Sequence, residues 1–212
     1  MRATDILRCG FCSLLISVFA SNAQAEGGYF GIEGGLAFAD IRADDTAQVL
    51  VNTFGGSVAY EYDAATLSGR ISGGYGFNEM VGLEVGYFFT GDFDATYNGL
   101  SGGGVVYSAV ETYSATGLDL SVLLHPMSGG FFLRLGMHNS EVEGVGTFNV
   151  PGLGSASAAA TVSGTGLLVG LGYDWDVGGD NFARVNYSYY DKVGGISNSE
   201  LGLLSISYNF AF

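Results

Sequence analysis

Leu203-Leu204-Ser205-Ile206-Ser207-Tyr208-Asn209-Phe210-Ala211-Phe212 changes character at nearly every step. Successive side chains of a strand point to opposite faces, so Leu204, Ile206, Tyr208, Phe210 and Phe212 share one face and Leu203, Ser205, Ser207, Asn209 and Ala211 share the other. The first face is apolar and aromatic, the second mostly small and polar. Its length is close to the roughly 10 residues with which a tilted strand crosses hydrocarbon.

Seven further segments repeat the pattern. In the first, Phe30, Ile32, Gly34, Leu36 and Phe38 oppose Gly31, Glu33, Gly35 and Ala37. The second sets Leu67, Ile71, Tyr75 and Phe77 against Ser68, Arg70, Ser72 and Gly74, and the third sets Leu83, Val85, Tyr87 and Phe89 against Glu84 and Gly86. Leu118, Leu120, Val122 and Leu124 oppose Asp119, Ser121 and Leu123; Phe131, Leu133, Leu135 and Met137 oppose Phe132, Arg134, Gly136 and His138. Leu167, Val169, Leu171 and Tyr173 form a sixth apolar face, and Val185, Tyr187 and Tyr189 a seventh with Arg184 opposite. This is the pattern of an all-β, eight-stranded antiparallel up-and-down transmembrane β-barrel with apolar and aromatic residues toward lipid and small or charged residues toward the lumen. A soluble eight-stranded calyx has the same strand count, but it would leave Leu, Val, Phe and Tyr on its outside, which only lipid tolerates.

Connections alternate in length. Short turns are expected at 78–80, 126–129 and 176–180, and long loops at 39–64, 90–112, 139–161 and 191–199. Short periplasmic turns with long external loops are the asymmetry of outer membrane barrels, and an even strand count returns both termini to the periplasm. Gly102-Gly103-Gly104 and the Ala/Ser/Gly tract at 152–160 read as flexible loop tips.

The chain opens on an export signal: Arg2 and Arg8 precede an apolar run from Phe11 to Ala20, and Ala23-Gln24-Ala25 is a small-residue cleavage site. Residues 1–25 are therefore expected to be a cleaved signal peptide and 26–212 the barrel domain. Cys9 and Cys12 both lie in that leader, so disulfide and thiol chemistry are not expected after cleavage. The whole chain has a net charge of −14, and loss of Arg2, Arg8 and Asp5 makes the remainder more acidic still, which excludes nucleic acid as a partner.

Beyond the leader the basic residues are Arg42, Arg70, Arg134, Arg184 and Lys192. Arg70, Arg134 and Arg184 fall on lumen positions of three strands, and Glu33, Glu84 and Asp119 on lumen positions of three others. A lumen this narrow joins such groups as ion pairs, either as a structural core that occludes it or as a narrow gated ion path. The loops carry acidic pairs, Asp44-Asp45, Glu61/Asp63, Asp92/Asp94 and Glu141/Glu143, which read as solvated faces or as hard oxygen ligands for Ca²⁺, or as groups sharing divalent cations with lipopolysaccharide phosphates. No Cys/His cluster has metal spacing, and neither a cofactor nor a metal is expected. His138-Asn139-Ser140 would place a base and a hydroxyl on one face, as in a lipid A-modifying hydrolase, but that face is the lumen. His125, before Pro126, reads as an interfacial polar residue.

Leu124-His125-Pro126 with Phe131-Phe132-Leu133-Arg134-Leu135-Gly136, and Phe182-Ala183-Arg184-Val185-Asn186-Tyr187, resemble the OmpA-like transmembrane barrel family, the outer membrane β-barrel group that also takes in opacity-type surface proteins. The resemblance covers residues 27–212. It implies an interior salt-bridge role for Arg134 and Arg184. It also implies that Tyr208-x-Phe210-x-Phe212 is the signal read by the barrel-assembly machinery after delivery by periplasmic chaperones. No peptidoglycan-binding periplasmic domain is expected after Phe212, so the resemblance is not taken to imply cell-wall anchoring. The expectation is a monomeric outer membrane barrel, not an enzyme, with a structural or adhesin-like role and loops open to an external ligand. The alternatives are a small gated porin, a carrier for apolar molecules, and the lipid A hydrolase.

Overall fold

The computed structural model describes residues 27–126, 130–179 and 181–212. Ala23, Ala25 and the rest of the expected leader lie outside them, as do residues 127–129 and Asp180 of two turns. In chain order the elements are β1 (Gly28–Ala39), α1 (Ala43–Phe54), β2 (Ser57–Tyr62), β3 (Ala65–Asn78), β4 (Val81–Thr90) and β5 (Phe93–Leu100). There follow β6 (Val106–Leu124), β7 (Phe131–Val150), β8 (Gly154–Gly178), β9 (Asn181–Asp191), a 3₁₀ turn at Val193–Gly195 and β10 (Glu200–Ala211).

Eight strands form a closed antiparallel ring among the described residues: β1-β3-β4-β6-β7-β8-β9-β10 and back to β1. The closing seam pairs Phe30 with Phe210 and Leu36 with Leu204. Closure leaves no edge within the ring, so every backbone group there has a neighbour, as a lipid environment demands. Side-chain parity is sharp. Ile206 is 59% exposed, whereas Ser205 and Ser207 on either side are 8% and 4% exposed. Ile32, Leu67, Ile71, Leu118, Leu135 and Leu167 continue the exposed apolar belt around the ring. No helix among the described residues is long and apolar enough to cross a membrane, so crossing falls to the strands.

The short connections tighten as their residues dictate. Asn78 accepts hydrogen bonds from the backbone N–H groups of Met80 and Val81 at 2.8 and 2.9 Å, a side-chain mimic of a turn between β3 and β4.

At the other end much of the chain expected as loop is folded. β4 and β5 run as one interrupted strand against β6, with Val81–Phe89 facing Leu124–Thr116 and Phe93–Leu100 facing Tyr113–Val106. β2 pairs with β5, and the β7–β8 ladder continues to Val150 opposite Gly154. Thus the Ala/Ser/Gly tract at 152–160 lies largely in β8 and is not a flexible tip, whereas Gly102-Gly103-Gly104 does turn the β5–β6 hairpin. Strand pairing here no longer needs an apolar face. A ladder propagates on backbone hydrogen bonds while the outward residues become Thr, Ser, Asn and Glu, so the hydrophobic alternation fades although the strands continue.

The result is a five-strand wall, β2-β5-β6-β7-β8, rising above one side of the ring. On the opposite side β9, β10 and β1 stop at the rim. α1 fills the concave side of the wall. Its Ala43 and Ala47 are buried with Ala95, Tyr97 and Ala109, and Phe54 stacks on Phe148 with ring centroids 5.3 Å apart. Asp44 and Asp45 lie in its first turn, where they favour the helix dipole, and Gly55 at φ 70° ends it with its N–H on the Val51 carbonyl.

Candidate functional site

The lumen is filled by one charged cluster to which all eight ring strands contribute. Glu84 of β4 is at its centre. Its carboxylate lies 2.8 Å from Arg70 of β3, 2.6 Å from Arg134 of β7 and 2.6 Å from Arg184 of β9, and it accepts the Tyr29 hydroxyl of β1 at 2.5 Å. Arg70 forks onto Asp119 of β6 at 2.7 and 2.9 Å and reaches Glu33 of β1 at 2.5 Å. Arg184 forks onto Asp174 of β8 at 2.6 and 2.8 Å. Glu33 accepts from Asn186 of β9 and Ser205 of β10 at 3.1 and 2.9 Å. The structure thus brings Glu33, Arg70, Glu84, Asp119, Arg134 and Arg184 together, each buried.

Local sequence makes room for the long side chains. Gly86 stands opposite the Arg70 guanidinium, and a Cβ there would collide with it. Gly172 lies against the ring of Phe132, over which the Arg184 guanidinium sits at 4.4 Å. Asn186 and Ser205 join through their hydrogen bonds to Glu33, and of the acid and phenol members the sequence reading missed two, Asp174 and Tyr29. Both had a signal available. Asp174 shares the parity of Gly172 on β8, and Tyr29 shares that of Glu33 on β1, one step beyond the alternating runs as they were delimited.

Toward the wall, an apolar layer covers the charged cluster: Phe88, Phe93, Leu168, Tyr190, Val193 and Leu203 are buried together, with the Phe88 and Tyr190 rings 4.6 Å apart. Tyr190 links the layers by donating to Asp119 at 3.2 Å. His138 and Ser140 do share the lumen face, both buried, but each is engaged elsewhere. The His138 Nε2 contacts the Asp191 carbonyl at 2.8 Å, and the Ser140 hydroxyl accepts the Gly194 N–H at 2.9 Å. His125 lies at the short-turn end, 3.7 Å from Asp174.

The acidic pairs are spread over the wall and α1. Asp94 accepts from the Thr112 hydroxyl at 2.7 Å, while Glu141 and Glu143 face the outer side of β7 opposite Thr116 and Ser114. Among the described residues no group of three or more His, Cys, Asp or Glu side chains is placed to hold a metal.

Residues 23–211 match the family model described as the OmpA-like transmembrane domain. The chain belongs to that family. It is an outer membrane β-barrel. The attachment invasion locus protein Ail of Yersinia pestis shares the fold at 11% identity, covering 89% of this chain and 100% of that one with a TM-score of 0.50. Neisserial surface protein A matches at 19% identity over 90% and 100% of the two chains with a TM-score of 0.41. OprG from Pseudomonas aeruginosa matches at 15% over 88% and 97%, also at 0.41. No curated protein sequence matches the chain.

Proposed function

We propose that this OmpA-like barrel acts at the cell surface through its wall and loops, with a closed lumen that serves structure and not transport. The carrying observation is the double closure of the barrel: a cross-lumen ion network centred on Glu84, and above it the Phe88–Tyr190 apolar layer. In this reading the short turns and both chain ends face the periplasm and the wall faces outward. The wall suits surface contacts. Leu100, Val105, Val106 and Leu153 are exposed at its hairpin tips, and β8 has no second strand partner before Leu168 among the described residues. Exposed strand edges accept an added strand, and exposed apolar tips anchor contacts. The protein works as a monomer beside lipopolysaccharide, and the buried, engaged His138 and Ser140 take no part in catalysis.

Two measurements test this. In planar lipid bilayers the folded protein should show no stable openings, and steady conductance that changes on Arg134→Ala would overturn the closed-lumen reading. In intact cells a membrane-impermeant maleimide should label Ser101→Cys and not Asn78→Cys; the reverse labelling would invert the proposed orientation.

A further inference from the structure

At the wall end of the ring, above the apolar layer, a cavity of about 200 Å³ opens between the β1–α1 connection and the loop from the 3₁₀ turn to β10. Its floor and sides are Phe93, Tyr113, Val142, Val193, Leu201 and Ile41. Phe93, Val193 and Leu201 are each 2% exposed and belong to the layer that closes the lumen, so the cavity is a blind pocket and not the entrance to a channel. Its polar lining is Asp40, Arg42, Ser114, residues 197–199 and Glu200. Ile196, 45% exposed, forms an apolar lip.

A second feature converges on the same place. Among the described residues, the non-glycine residues with left-handed backbone are Arg42 at φ 51°, Lys192 at 56° and Asn198 at 67°. Arg42 and Asn198 line the pocket, and Lys192 precedes Val193 of its floor. Non-glycine residues seldom adopt such conformations, which persist where surrounding structure imposes them, often at ligand clamps. Left-handed residues thus shape both of the loops that border the cavity. For scale, an apolar cavity of about 150 Å³ stays dry and takes benzene.

We infer that this pocket binds a small, neutral, ring-sized apolar molecule bearing at most one hydrogen-bonding group. The apolar body would sit on Phe93, Val193 and Leu201, and the polar group would face the rim or the Tyr113 hydroxyl. Burial in the wall and the hydrogen bond it donates to Glu111 push that hydroxyl up to about 12, so it stays protonated at neutral pH and offers the guest its oxygen as an acceptor. The rim carries both signs of charge, from Asp40 and Glu200 and from Arg42, so an ion of either sign meets a repelling neighbour and a neutral guest is favoured. The inference goes beyond the surface role proposed above and needs no particular membrane orientation.

The test is a titration of the ¹³C-methyl-labelled protein in lipid nanodiscs with indole as the probe. Methyl signals of Ile41, Val142, Val193, Ile196 and Leu201 should shift and saturate, while lipid-facing Leu118 and Leu204 report only partition into the bilayer. Val142→Phe, which fills the pocket from β7, and Ser199→Phe, which fills it from the loop, should each raise the half-saturating concentration at least tenfold. Heat-modifiable migration in gels shows which variants are folded; if Val142→Phe does not fold, Ser199→Phe decides alone. Equal, non-saturating drift at both sets of methyls would overturn the proposal, as would wild-type midpoints in the folded variants.

Discussion

Replacing Glu84 by Gln keeps the shape of the central side chain and removes its charge. Three guanidiniums touch Glu84, yet the loss is not three ion pairs. Arg70 retains Glu33 and Asp119, and Arg184 retains Asp174. Among the described residues only Arg134 is left without a carboxylate. Its remaining partners there are Ser188 at 2.8 Å and Asn186 at 3.3 Å, it is 1% exposed, and its Nε has no hydrogen-bond partner among them. Breaking a buried pair from one side costs about 3–5 kcal/mol, chiefly as the stranded charge, so Glu84→Gln should destabilise by about 4 kcal/mol. With a urea slope of roughly 2 kcal/mol per molar, the unfolding midpoint falls by about 2 M. The assay is urea unfolding in lipid vesicles, followed by Trp175 fluorescence and by heat-modifiable migration. Adding Arg134→Met should recover a large part of the loss, because the double variant buries no unpaired cation. A Glu84→Gln midpoint within about 0.3 M of wild type would refute the reasoning, and so would a double variant no more stable than the single.

Gly86→Ala should cost about 1–3 kcal/mol by pressing a methyl into the Arg70 guanidinium, read by the same urea titration; an unchanged midpoint would show that Arg70 has room to move. Ala47→Glu forces a charge into the contact between α1 and Tyr97, so chymotrypsin should cut near Phe54 far faster while the ring's heat-modifiability is unchanged; equal cleavage of variant and wild type would show that α1 is not held by that contact. Glu141→Gln, outward on β7, should shift stability by less than about 0.5 kcal/mol, and a larger effect would give the wall acids a structural role they are not assigned here. Phe210→Ser together with Phe212→Ser should lower outer membrane levels in cells while leaving unassisted refolding in detergent nearly unchanged; normal levels would remove the aromatic tail as an assembly signal.

The ring was legible because one physical rule governs it. Where lipid meets one face and a packed lumen the other, residues such as Ile206 and Ser207 have no freedom to exchange character. The lumen charges were legible for the same reason, since a charge at an inward position of a narrow barrel has only other inward charges to meet. Asp174 and Tyr29 were missed at the margins, one residue after the end of one alternating run and one residue before the start of another. The wall was missed for a different reason. Ser108, Thr112 and Glu143 sit on strands whose outer face meets water, so the sequence there need not alternate apolar with polar to satisfy the backbone. α1 left an equally faint trace: only Ala43 and Ala47 are buried, and two alanines four apart do not announce a helix. The pocket could not be read at all, since Ile41, Tyr113, Val142 and Val193 come together only through closure of the ring.

The arrangement around Glu84 also bears on how the barrel is put together. Because side chains alternate with period two, pairing any strand one residue out of step turns its whole inward set outward. For β3, β7 or β9 that would drive Arg70, Arg134 or Arg184 into hydrocarbon, at about 2–4 kcal/mol each near the midplane, and would strand its carboxylate partner inside. Glu33 from the first strand accepts the Ser205 hydroxyl from the last across the seam that shuts the ring, and Asn186 donates to both. The cluster can therefore be completed only by a correctly threaded, fully shut cylinder, and a slip of one residue leaves it incomplete whatever small net amount it adds to the finished protein.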